Sequence, residues 1–127
     1  PEARPVLPRF PARTASAVGG DKERLAGDYL QQRGLRLIAC NYRCRFGEID
    51  LVMREAETLV FVEVRFRKSS RYGTPAETVD THKQRRLAAT ASYYLREHPT
   101  NSPCRFDVLA VSGNNDIVWI RDAFHAE

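Results

Sequence analysis

A chain of 127 residues is long enough for one domain with its own buried core and needs no covalent or metal staple to fold. Lys and Arg outnumber Asp and Glu by 20 to 16, an excess that suits a polyanionic partner without requiring one. Cys40, Cys44 and Cys104 show no C-x-x-C spacing, which argues against a disulfide framework and a zinc ribbon. Along a strand, Cys40 and Cys44 would stand roughly 13 Å apart, whereas two thiolates on one zinc lie within about 4 Å of each other. No apolar stretch approaches the ~20 residues of a spanning helix, and the first residues lack the apolar core of a signal peptide. The expectation is a soluble cytoplasmic protein without a membrane partner.

In chain order, residues 1–20 are rich in Pro, Ala, Arg and Gly and carry Arg4, Arg9 and Arg13, which predicts a disordered basic tail ahead of a single domain over 21–127. Leu25, Ala26, Tyr29 and Leu30 recur at helical spacing over 21–33, and Gly34 stands where a helix end favours glycine. Residues 35–43 read as a strand. The segment GEIDLVMREAETLVFVEVRFR that follows reads as two more strands with a tight turn at Ala56 and Glu57. Residues 68–73 are polar and turn-like. A second helix over 79–97 gathers Val79, Leu87, Ala91, Tyr94 and Leu95 on one side and stops before Pro99. CRFDVLAVS and DIVWIR, separated by Gly113-Asn114-Asn115, form a closing hairpin. The order helix, three strands, helix, two strands predicts an α/β fold, a mixed central sheet flanked by helices.

The central hairpin carries the chemistry. With its turn between Ala56 and Glu57, antiparallel pairing sets Ile49 against Val64, Leu51 against Val62 and Met53 against Val60, an apolar face ready to pack under a helix. The other face then carries Glu48 opposite Arg65, Asp50 opposite Glu63 and Val52 opposite Phe61. Opposed carboxylates about 5 Å apart repel unless a cation or a shared proton relieves them. A hard divalent ion does so, since Mg²⁺ binds through one or two carboxylates and completes its shell with water and phosphate oxygens. The competing reading leaves Glu48 and Arg65 as a cross-strand ion pair and the acidic residues at a solvated rim.

Asp50 followed by Glu63-Val64-Arg65 resembles the Asp…Glu-x-Lys signature of the restriction-endonuclease-like, or PD-(D/E)XK, nucleases. Glu23-x-x-Ala-x-x-Tyr-Leu, Asn41-Tyr-Arg, GEIDLV, LVFVEVR, Lys83-Gln-Arg-Arg-Leu, Tyr94-Leu, RFDV and Ala123-Phe124 together are similar to the YraN family of bacterial endonuclease-like proteins, over about residues 20–124. The resemblance implies the Holliday-junction-resolvase-like form of the fold, with a Glu supplied by the N-terminal helix. It implies Glu23, Asp50, Glu63 and Arg65 as catalytic residues, Asp50 and Glu63 as ligands of Mg²⁺ or Mn²⁺, and Arg65 in place of the superfamily lysine. Arginine does not surrender its proton, so Arg65 could hold a phosphate and stabilise its charge but not act as a base. Lys68 and Lys83 are the lysines whose distance from the site is open.

His82, Lys83, Arg85 and Arg86 crowd the first half of the second helix, against its dipole, which points to an external phosphate backbone or to simple solvation beside Asp80. Arg67, Lys68 and Arg71 extend the same footprint. Asp107 reads as a structural ion pair in preference to an orienting group at the site. Trp119 and Tyr94 read as core. The expected function is metal-dependent hydrolysis of phosphodiesters in DNA, branched or otherwise structured, with a non-catalytic nucleic-acid-binding module as the alternative and a protein-interaction domain as a third. A homodimer is compatible with a two-fold substrate.

Overall fold

A computed structural model describes residues 17–67, 79–114 and 116–125. Among these the chain runs α1 (Ala17–Gln32), β1 (Arg36–Cys44), β2 (Gly47–Glu55), β3 (Thr58–Arg67), α2 (Thr81–Glu97), β4 (Cys104–Ser112) and β5 (Ile117–Phe124). The α/β order matches the sequence expectation. Of the basic tail expected over 1–20, residues 1–16 lie outside the described part, and α1 already begins at Ala17. The polar turn of 68–73 also lies outside it.

The five strands form one sheet in the order β1-β2-β3-β4-β5. Every neighbouring pair is antiparallel except β3 and β4, which run parallel because the chain crosses over through α2 between them. The helices cover opposite faces. On one side Ala26 and Leu30 of α1 pack with Leu37, Leu51, Met53, Val60, Val62 and Leu109. On the other, Leu87, Ala91 and Tyr94 of α2 pack with Ile49, Val52, Phe61, Phe106 and Val108. Strands buried on both faces need apolar residues in unbroken runs, and Leu59–Val62 and Phe106–Val111 supply them save for Asp107. Each such side chain contributes roughly 1.5–3 kcal/mol of burial.

Local chemistry sets the boundaries. Gly34, at φ 100°, ends α1, and its amide donates to the Gln31 carbonyl at 3.1 Å. The Asp80 carboxylate accepts the Lys83 amide at 2.8 Å and caps α2, a contact worth about 1 kcal/mol. Val79, expected inside the helix, instead precedes the cap and is buried against the α2-side core.

The hairpin register is as read from the sequence: Leu51 pairs with Val62, Val52 with Phe61, Met53 with Val60 and Glu55 with Thr58. The expected continuous apolar face is not. Ile49 joins the α2-side core, whereas Leu51 and Met53 face α1. Across the β1–β2 ladder, Cys40 and Tyr42 split the same way. The cause lies between them. Asn41 takes a left-handed backbone, φ 56°, and pairing passes from Cys40–Leu51 to Tyr42–Ile49 without a bridge at Asn41 and Asp50. Side-chain alternation inverts there, as at a bulge.

Candidate metal centre

The inversion takes Asp50 out of the regular ladder and frees its carboxylate to act as a backbone partner. Paired residues of β2 and β3 stop at Leu51 and Val62, and beyond them the Val64 amide donates to Asp50 Oδ2 at 2.8 Å. Expected cross-strand pairing of Glu48 with Arg65 and of Asp50 with Glu63 is therefore absent from the ladder. Glu48 pairs instead with Arg43 of β1, at 3.3 Å.

Three carboxylates converge here. Oxygens of Glu23 from α1 and of Glu48 and Asp50 from β2 lie within 4.8 Å of one another, all three side chains partly buried. Burial first, then the charge of Glu63 and more weakly those of Glu23 and Glu48, push the Asp50 carboxyl up to about 8 against the pull of the Val64 amide. Burial also raises Glu23, with Glu48 adding to the effect and a hydrogen bond from Asn41 opposing it. Negative charge at this point is thus under-compensated. An all-carboxylate set of hard oxygens fits Mg²⁺ or Mn²⁺ and not a thiophilic metal. Cys40, Cys44 and Cys104 are free thiols and take no part in the cluster.

Glu63, expected to share the ion with Asp50, is not one of the three converging carboxylates; its charge acts on Asp50 and its environment differs. Its side chain is buried, and Oε2 receives both Arg65 Nη1 and Lys83 Nζ at 3.3 Å. Arg65 arrives because residues two apart on a strand share a face. Lys83 arrives from α2, which brings a lysine to the acidic pair although β3 carries arginine where the nuclease signature has lysine. Part of the crowding of positive charge at the start of α2 is thereby explained by an internal anion. Arg85 and Arg86 are exposed, with the Arg86 guanidinium close to Gly47. Arg67 ends β3 opposite Ser112, and Lys68 and Arg71 lie outside the described residues.

Sequence reasoning brought Glu23, Asp50, Glu63 and Arg65 to one place and missed Glu48 as a cluster member. The signal was present, since Glu48 and Asp50 stand two apart, but Glu48 was assigned to Arg65. Asp107 is structural: fully buried, it accepts from Arg105 Nε at 2.9 Å, Trp119 Nε1 at 2.9 Å and the Asp122 amide at 2.9 Å. Tyr94 is core, and Trp119 is partly buried with its ring edge-on to Tyr29.

Residues 22–111 match the model of the family described as uncharacterised protein family UPF0102. The chain belongs to UPF0102. This is the YraN family to which the motifs pointed. A UPF0102 protein of Nitrosomonas europaea is 53% identical over 113 residues, covering 87% of this chain and 96% of its own length. One of Methylococcus capsulatus is 53% identical over 112 residues, 86% of this chain and 91% of its own. One of Psychromonas ingrahamii is 45% identical over 119 residues, 93% of this chain and 97% of its own. The UPF0102 match spans Glu23, Glu48, Asp50, Glu63, Arg65 and Lys83 alike.

Proposed function

We propose that this UPF0102 protein is a divalent-cation-dependent phosphodiesterase acting on DNA. The observation that carries the reading is the meeting of Glu23, Glu48 and Asp50 within 4.8 Å, with Asp50 raised to about 8. A divalent cation supplies Lewis acidity, drawing charge from a phosphoryl oxygen and making water a better nucleophile at neutral pH. In this reading Asp50 and Glu63 would hold the ion, and Glu23 and Glu48 would complete the carboxylate set. Arg65 and Lys83 stand beside Glu63 and neutralise charge as it builds on the phosphate, a role that needs no proton transfer. Water adds to phosphorus and yields a proton to solvent, one ester P–O bond breaks, and the leaving oxygen is protonated from solvent. Arg85, Arg86, Arg67 and Lys68 contact the flanking backbone.

No helix among the described residues is long and apolar enough to cross a membrane. We place the protein in the cytoplasm, where free thiols persist.

The test incubates linear, flapped and four-way DNA with Mn²⁺, with and without chelator. Product is expected only with the metal, is lost in Asp50→Asn, and falls about 10²-fold or more in Lys83→Ala. Turnover that survives chelation or Asp50→Asn overturns the reading. One observation favours a second reading, a binding module without turnover: Glu63 already has two cations of the protein's own on Oε2. Metal-independent binding with no product, and product gained in Arg65→Lys, would select it.

A further inference from the structure

The β1–β2 turn carries Arg45 and Phe46, whose exposure does not follow from the core. Phe46 remains 39% exposed although α2 passes close by. Its ring meets Tyr93 of α2 edge-on, centroids 6.2 Å apart at 63°. Each ring has its own guanidinium: Arg45 lies 5.0 Å from the Phe46 centroid and Arg96 lies 5.6 Å from that of Tyr93. Arg86, Tyr93 and Arg96 are spaced seven and three residues apart, so they form one stripe along α2. Gly47, adjoining Phe46, approaches Arg86 at the head of that stripe. Arg45, Arg86 and Arg96 are all exposed.

Core packing accounts for an aromatic ring shut away from water, not for the exposed Phe46 against the half-buried Tyr93, each beside an arginine. Flat faces interleaved with guanidinium groups are what single-stranded nucleic acid uses, the bases stacking and the phosphates pairing. A duplex offers no free base face, so a surface of this kind favours unpaired strands. Its position matters as well. Phe46 stands in the turn two residues before Glu48, so these rings adjoin the end of β2 that carries Glu48 and Asp50 of the acidic cluster.

We propose that Phe46 and Tyr93, with Arg45, Arg86 and Arg96, form a stacking platform for unpaired bases, which directs the protein to nucleic acid with single-stranded character next to the acidic cluster. The placement of the cut rests on the phosphodiesterase reading; the binding itself does not.

Binding is therefore measured in the presence of chelator, by fluorescence anisotropy of a labelled oligothymidylate and of a duplex of equal length. Phe46→Leu keeps an apolar side chain at the turn and removes the flat face, and Phe46→Trp restores a larger one. The platform predicts tighter binding of the oligothymidylate than of the duplex, and a loss of about five- to a hundredfold in Phe46→Leu. The slope of affinity against salt stays unchanged, because no phosphate contact is removed. Phe46→Trp binds at least as tightly as the native chain, with its added indole emission quenched by the bases. Oligothymidylate binding that is unaltered in Phe46→Leu, or that falls equally for the duplex, overturns the proposal. Absence of cleavage with this pattern intact defeats only the phosphodiesterase reading. Asp50-dependent cleavage with no preference for unpaired strands defeats only the platform.

Discussion

At the scale of single residues, Asp50 links the site to stability. Its carboxyl is raised from the ordinary 3.8 to about 8 by burial and by Glu63, so the folded chain holds a proton that the unfolded chain releases between those values. The stability this proton contributes is complete below 3.8 and is lost as pH rises through 8. Asn at this position keeps an oxygen for the Val64 amide and carries no charge. In chelator, the melting temperature of the native chain is expected to fall as pH rises from about 5 to about 9, and that of Asp50→Asn to fall less, so the variant is the more stable of the two at the alkaline end. A cation must displace the same proton, so Mn²⁺ affinity measured by calorimetry should climb over this interval in the native chain. Parallel melting profiles for the two proteins would remove the charge argument.

Which residues were legible follows from how far each is from its partners along the chain. Asp50 and Glu63 are tied by one short hairpin, whose register holds as far as Leu51 and Val62 and so brings their charges together although they do not pair. Glu23 came from the family resemblance, not from spacing. Lys83 could not be placed, because its distance from Glu63 depends on how α2 lies across the sheet, and no local pattern encodes that. Glu48 was visible as a neighbour of Asp50, yet strict alternation assigned it the wrong partner. The left-handed Asn41 breaks that alternation, and nothing in its neighbours announces it beyond the tolerance of Asn for such a backbone.

At the scale of elements, the β1–β2 turn depends on a glycine. Gly47 has φ 151°, a backbone that L side chains rarely adopt, and an added Cβ would stand 3.2 Å from the Thr90 hydroxyl of α2. Thr90 is fully buried and its hydroxyl donates to the Arg86 carbonyl at 2.8 Å, so it has little room to withdraw. Gly47→Ala is expected to lower stability by about 1–3 kcal/mol in urea denaturation. A variant as stable as the native chain would show that the turn and α2 separate at little cost. Strands and helices were otherwise readable, the helices from their 3.6-residue period and the central strands from apolar runs bounded by turn residues. The helix starts were less so: Val79 fits the periodic pattern of α2 but serves as the apolar residue before its cap.

At the scale of the whole molecule, α1 and α2 occupy opposite faces and, among the described residues, belong to separate core clusters on either side of the sheet. Because β2 turns over at Asp50, its Ile49 end belongs to the α2 layer and its Leu51 end to the α1 layer, and the acidic cluster sits at the changeover. Glu23 anchors that point to α1, and Lys83, through Glu63, anchors its surroundings to α2. On the proposed reading, a cation captured there would act as a rivet through three layers. Amide hydrogen exchange followed by mass spectrometry should accordingly slow in both helices when Mn²⁺ is added, although they pack on opposite faces of the sheet. Protection confined to α1 would mean that the two layers open independently.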